Sequence, residues 1–247
     1  MNQSRAKKIR INDDLSNKER AVICLAEFFG TGILVFLGCM SCVHMSLNTH
    51  LHISFTFGLA IMIAVQCFGH ISGSHINPAV TIAAVVLGHT PLIHFPLYAI
   101  SQILGGIADF FPFDSQNGIC TPTLGAGISP WQGAGVEFIL TFILLLVCAA
   151  LWDCRNTDKH DSLSLRLGFA VAGLVMAGAP FSGSNMNPAR TFAPVLLNNT
   201  WDNWWVWWIG PMMGGLAAGV LYRYAFSKEE DDREHTPVET LRLNDKA

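Results

Sequence analysis

Two stretches of the chain carry most of the side chains able to do specific chemistry. Ser72-Gly73-Ser74-His75-Ile76-Asn77-Pro78-Ala79-Val80-Thr81 recurs as Ser182-Gly183-Ser184-Asn185-Met186-Asn187-Pro188-Ala189-Arg190-Thr191, displaced by 110 positions. Asn followed by Pro is a helix start, because Asn accepts from the first free amides as N-cap and Pro at the first helical position needs no amide partner. The spacing therefore predicts two short helices beginning at Asn77 and Asn187, each preceded by non-helical backbone. Their chemistry is hydrogen bonding: amide donors from the two Asn side chains and carbonyl acceptors from Gly73, Ser74, His75, Gly183 and Asn185. One Asn-Pro-Ala alone would be an ordinary cap, but two in register mark a repeated site. Arg190 adds a single cation inside an otherwise apolar region, where an arginine is a functional candidate by default.

The elements that must position these residues are membrane spans. Hydrophobic residues make up 51% of the 247 positions and charged ones only 13%, against about 25% charged in an ordinary soluble domain. Between Glu27 and Asp109 there is no Asp, Glu, Lys or Arg, a stretch far longer than the roughly 20 residues that cross a bilayer core once. Hydropathy predicts six spans, at 21–45, 52–71, 91–111, 131–153, 163–183 and 205–226. The pieces near 77–89 and 187–197 are too short to cross and are expected to be re-entrant half-helices. Non-helical backbone at that depth is tolerated only where protein buries it or it lines a wet cavity.

The repeat extends beyond the motifs. Glu27-Phe28 returns as Glu137-Phe138, and Gly105-Gly106 returns as Gly214-Gly215. Each half holds three spans and one half-helix, and an odd number of crossings inverts the second half relative to the first. The expected fold is an all-α membrane protein of six transmembrane helices and two half-helices in an inverted 3+3 repeat. Arg5, Lys7, Lys8, Arg10, Lys18 and Arg20 precede the first span, Arg155, Lys159 and Arg166 follow the fourth, and Arg223, Lys228, Arg233, Arg242 and Lys246 follow the sixth. Basic residues stay cytoplasmic, so both termini are expected in the cytosol. The expected division is 1–20 as an N-terminal cytoplasmic segment, 21–227 as the membrane domain and 228–247 as an acidic cytoplasmic tail.

Several classes of function fall away. A net charge of −3 and the absence of a basic face exclude nucleic acid. The polar first twenty residues are not a secretory signal. The seven cysteines are an odd number, most lie in apolar stretches, and no disulfide framework is expected. Cys39 and Cys42 have CxxC spacing but no second pair to complete a metal site. No spacing of the nine histidines puts two on one helix face as ligands. Near the first motif their backbone carbonyls matter more than their rings, with proton-sensitive gating at His75 a minor reading. No catalytic nucleophile–base pair, metal or cofactor is expected, and an enzyme is the poorest reading. Asn198-Asn199-Thr200 is a glycosylation sequon close to the membrane.

With these motifs in place, residues 20–227 resemble the aquaporin, or major intrinsic protein, family: six spans, both Asn-Pro-Ala motifs, the paired Glu-Phe, Gly69-His70-Ile71-Ser72-Gly73 and the Gly210-Pro211 step. The resemblance implies that Asn77, Pro78 and Ala79 meet Asn187, Pro188 and Ala189 head to head at the midplane of a single-file pore. It further implies a selectivity filter at Phe57, Val175, Ser184 and Arg190, bracing of the pore loops by Glu27 and Glu137, assembly as a homotetramer, and passage of water and small neutral solutes through the lipid bilayer of the plasma membrane. An Arg190 paired with a buried carboxylate is the competing structural reading.

The sequence departs from strict water channels at Val175, where a His is usual. An isopropyl group in place of imidazole removes a donor and bulk, which points to glycerol or urea as additional solutes. Thr191 stands where the glycerol-facilitator branch commonly has Asp, and Trp207 and Trp208 stand where the water-selective branch carries aromatics, although Trp is also an interface anchor. The chain is thus similar to a water-lineage member with a relaxed filter, as in insect glycerol-permeating aquaporins. The alternatives are a strictly water-selective channel, and a junction or adhesion protein of low conductance. For adhesion, only the loop at 112–130 is long enough to present a surface.

Overall fold

The computed structural model describes residues 11, 15–43, 49–110 and 118–227, with backbone only for 157–160. Eight α-helices are found among them: α1 (Asn17–Met40), α2 (His50–Ser72), α3 (Pro78–Leu87), α4 (His94–Phe110), α5 (Pro130–Leu151), α6 (Leu163–Ser182), α7 (Pro188–Leu197) and α8 (Val206–Leu221). A 3-10 run, Cys154–Ser162, joins α5 to α6, and a π-helical turn, Tyr222–Phe226, continues α8. The described residues contain no strand.

Local chemistry explains the helix starts. Ser16 and Glu19 form a reciprocal capping box at α1, and Ser129 and Gln132 form its counterpart at α5. Asn77 and Asn187 cap α3 and α7 with Pro at the next position. Helices α1, α2, α5 and α6 are long and apolar enough to cross a membrane. The third and sixth expected spans are shorter than the sequence reading has them: α4 has 17 residues and α8 has 16 before its π turn. At 1.5 Å per residue, α4 reaches about 26 Å. The acidic tail and most of the N-terminal segment lie outside the described residues.

Packing follows the repeat. Helix α1 lies against α4 and α2, α5 lies against α8 and α6, and α2 meets α6. The half-helices cross over: α3 packs mainly on α8, and α7 mainly on α4. The repeated glycines make this possible. A Cβ on Gly105 would collide with the Phe28 carbonyl of α1, and one on Gly214 with the Phe138 carbonyl of α5. Their neighbours face the half-helices, Gly106 within 3.2 Å of the Ala189 carbonyl oxygen and Gly215 within 2.5 Å of the Ala79 carbonyl oxygen, measured from the Cβ each lacks. Small residues let backbones approach where no hydrophobic force drives helices together in lipid.

A matched pair of substitutions tests this. Gly135 has open space around its missing Cβ, so Gly135→Ala should gain roughly 0.5–1 kcal/mol from helix propensity. Gly105→Ala has the same propensity gain but drives a methyl into backbone, and should lower the thermal midpoint of the purified protein. Midpoints moving the same way in both variants would contradict the packing account.

The end of α8 is tied back to the bundle. The Arg223 guanidinium donates to the Val86 carbonyl, placing a cation at the C-terminal end of α3 where the helix dipole favours it. Beyond α5, Arg155 donates to both carboxylate oxygens of Asp153 at 2.6 and 2.5 Å and to the Phe226 carbonyl at 2.8 Å. This pairing holds the Asp153 carboxyl far below the usual carboxylate range. The clasp therefore keeps its charge at any physiological pH.

Candidate functional site

The loops that feed α3 and α7 are built as mirror copies. Gly73, Ser74 and Ile76 have φ of +83°, +46° and +46°, and Gly183, Ser184 and Met186 have +78°, +52° and +53°. Left-handed backbone in non-glycine residues costs about 1–3 kcal/mol each and persists only where surroundings over-determine it. Here the determinant is a buried carboxylate. Glu27, fully buried, accepts from Ser72 Oγ (2.6 Å), the His75 amide (2.9 Å), the Ile76 amide (2.7 Å) and Gln102 Nε2 (2.7 Å). Glu137, equally buried, accepts from Ser182 Oγ (2.7 Å), the Asn185 amide (2.9 Å) and the Met186 amide (2.7 Å).

The two half-helices meet at their N-termini. Asn77 Oδ1 accepts from the Ala79 amide at 2.9 Å, and Asn187 Oδ1 accepts from the amides of Ala189 (2.9 Å) and Arg190 (3.2 Å). Each Asn then donates across the junction, Asn77 Nδ2 to the Met186 carbonyl at 2.7 Å and Asn187 Nδ2 to the Ile76 carbonyl at 2.8 Å. One N–H of each side-chain amide thus goes to the opposite loop. A primary amide has a second N–H, and both Asn side chains border the same cavity. Pro78, Ala79, Pro188 and Ala189 are buried at the junction.

That cavity has a volume of about 320 Å³, and a smaller one of about 50 Å³ continues from it. Ile61, Asn77, Leu144 and Val171 border both, so the two share an axis that passes the junction. Gly73, Ser74 and His75 line the smaller cavity, facing Trp152; Gly183, Ser184 and Asn185 line the larger. One wall is thus loop backbone and amide, and the other is aliphatic.

Phe57, Val175, Ser184 and Arg190 come from α2, α6, the second loop and α7, and all four line the larger cavity. Ser184 Oγ donates to the Leu174 carbonyl at 3.0 Å. The Arg190 guanidinium carbon lies 5.0 Å from the centre of the Phe57 ring, and Nη2 donates to Cys120 Sγ at 3.5 Å. No carboxylate lies within ion-pair distance of Arg190 among the described residues, so the buried ion-pair reading is not what the structure shows.

Other features were not read from the sequence. Cys39 and Cys120 form a disulfide, which corrects the expectation that the cysteines are unpaired small hydrophobes; Cys42 remains free. Gly118 and 120–125 line the larger cavity, so that part of the long loop borders the cavity while Gly118 and Thr123 stay exposed. Asn198 Nδ2 is engaged by the Ile119 carbonyl (3.2 Å) and Thr121 Oγ1 (2.8 Å), which leaves the sequon nitrogen occupied. Trp207 is no interface anchor: it is buried, and its indole donates to the Ser182 carbonyl at 2.8 Å. Tyr98 does the same for the Ser72 carbonyl at 2.7 Å. His75 packs on Tyr98 and Trp152, with ring centroids at 4.8 and 5.8 Å.

Similarity to known proteins agrees with this arrangement. Aquaporin-4 of Mus musculus is 38% identical over 81% of this chain and 66% of that protein, and aquaporin-2 of Bos taurus is 37% identical over 81% and 77%. The chain spans about two thirds of the mouse aquaporin-4 and 55% of that of Notomys alexis. The X-ray structure of the aquaglyceroporin from Plasmodium falciparum superposes with a TM-score of 0.73 at 25% identity, covering 83% of this chain and 96% of that one. Two half-helices joined tip to tip on a shared cavity axis, and a Major intrinsic protein profile matching residues 14–222, lead to one conclusion: the chain belongs to the major intrinsic protein family.

Proposed function

We propose that the chain is a membrane channel for passive flow of water and of small neutral solutes such as glycerol or urea. The observation that carries this is the junction: two helix N-termini, each holding about half a positive charge, meet where Asn77 and Asn187 border one cavity axis. That field opposes cations and protons while amides and loop carbonyls replace the hydrogen bonds a neutral solute gives up. In this reading Phe57, Val175, Ser184 and Arg190 form the selectivity filter and Glu27 and Glu137 brace the pore loops. Val175 makes the filter wider and more apolar than a His would, as in insect glycerol-permeating relatives.

The proposed setting is a homotetramer in the plasma membrane, with residues 21–227 as the channel and cytoplasmic segments at 1–20 and 228–247. Two independent features support the orientation. Basic residues cluster at one side, and the Cys39–Cys120 disulfide lies at the opposite end of α1, as expected for an oxidising exterior.

Reconstituted vesicles provide the test. Osmotic shock should shrink protein-containing vesicles at least several-fold faster than empty ones, and an inward glycerol gradient should re-swell them faster. Glycerol entry equal to that of empty vesicles would leave a water-only channel, and equal shrinkage would remove the channel reading altogether.

A further inference from the structure

We propose that the Cys39–Cys120 disulfide positions Arg190 at the outer mouth, so that reduction by a small thiol relaxes the solute selectivity of the channel. The inference rests on the channel reading above and deepens it.

A closed ring of contacts carries it. Cys39, fully buried, lies in the last turn of α1. Its disulfide reaches 81 positions along the chain to Cys120, in the stretch of loop that lines the larger cavity. Cys120 Sγ accepts from Arg190 Nη2, while Arg190 Nη1 is buried without a partner. Arg190 in turn sits over the Phe57 ring, and that ring packs on Gly38, the neighbour of Cys39, where no side chain stands in its way. The guanidinium therefore has one hydrogen-bonding side chain among the described residues, and a covalent bond decides where that sulfur is.

Cys120 is also held against its backbone preference. Its φ is +59°, a left-handed conformation that costs a non-glycine residue energy and needs outside support. Asn198 grips the residues on either side, and the Gly125 amide donates to the Phe181 carbonyl at 2.8 Å. Those bonds anchor the loop's flanks, and among the described residues the disulfide is the covalent tie between Cys120 and α1. Opening it lets Cys120 relax toward ordinary backbone and takes the sulfur away from Arg190.

The chemistry balances with two equivalents of a low-molecular-weight thiol. The first thiolate attacks Cys120 Sγ, which borders the cavity, forming a mixed disulfide there and releasing Cys39 as thiolate. The second attacks the mixed disulfide, releasing the Cys120 thiolate and the oxidised thiol dimer. The protons of the two reagent thiols end on Cys39 and Cys120, and the two electrons come from the reagent.

The test uses the full chain in vesicles, with water and glycerol fluxes measured before and after external dithiothreitol, and the Cys39–Cys120 link followed by peptide mass. Reduction should raise the glycerol-to-water flux ratio about threefold or more. The Cys39→Ser/Cys120→Ser variant should show the raised ratio from the start and ignore the reductant. An unchanged ratio after complete reduction of a conducting protein overturns the proposal, even if the thermal midpoint falls, since that reports a merely structural bond. Free thiols at both positions in protein isolated without reductant overturn it as well. Absence of water flux in both redox states overturns the channel reading itself, which is a separate result.

Discussion

Glu27→Ala should leave too little stability for the protein to persist as a folded species. Its carboxylate receives four hydrogen bonds, from Ser72, His75, Ile76 and Gln102, and truncation strands all four donors in a site with no access to solvent. Each buried donor left unsatisfied costs about 1–3 kcal/mol. The sum, upwards of about 4 kcal/mol, is comparable with the whole stability of an ordinary domain. Two of the donors are amides of the strained loop before α3, so losing their acceptor also removes the support for left-handed Ser74 and Ile76. Glu137→Ala strands three donors, lacking any counterpart of Gln102, and should be the milder of the two. Size-exclusion profiles and thermal midpoints of the detergent-purified variants check the order. A well-folded Glu27→Ala protein, or a Glu137→Ala protein that is worse, would show that the carboxylates do not hold the loops.

Val175→His should lower glycerol flux by roughly tenfold, equivalent to about 1.4 kcal/mol of added barrier, while water flux changes by about twofold or less. Val175 is buried and lines the larger cavity together with Arg190 and Phe57. An imidazole there adds bulk on the aliphatic wall and a donor that water can use but the carbon backbone of glycerol cannot. The readout is the ratio of the two fluxes in vesicles carrying equal amounts of protein. Both fluxes falling together would mean general obstruction, and neither falling would place the selective step away from Val175.

The two predictions differ in how far the sequence alone supports them. The Glu-Phe pairs and the Asn-Pro-Ala motifs are visible because they occur twice, at one displacement, and a repeat needs no knowledge of where the chain folds. Gln102 has no such trace. Its counterpart by the glycine-pair displacement is Pro211, so the second half offers no echo of the bond it makes to Glu27. Tyr98 and Trp207 show the same blindness in another form. They occupy corresponding positions and both donate to the carbonyl at the end of the preceding span, Ser72 or Ser182, but a phenol and an indole do not look alike in a sequence. The function is repeated while the residue type is not.

Phe57 and Val175 were legible only through resemblance to the family; by itself the sequence determined the apolar spans, the half-helix starts and the inversion of the two halves. These follow from hydropathy over some 20 residues, from capping chemistry within a few positions and from an internal repeat, all of which are local or periodic. Tertiary structure alone decided which half-helix lies on which span, that one N–H of each Asn crosses to the opposite loop, that Gly118 and 120–125 border the larger cavity, and that Cys39 meets Cys120. Each of these is a meeting of segments far apart in the chain, and it exists only once close-packed glycines have brought the helices together. A loop's path has no period, so nothing short of the folded molecule could say that its sulfur would come to rest against Arg190.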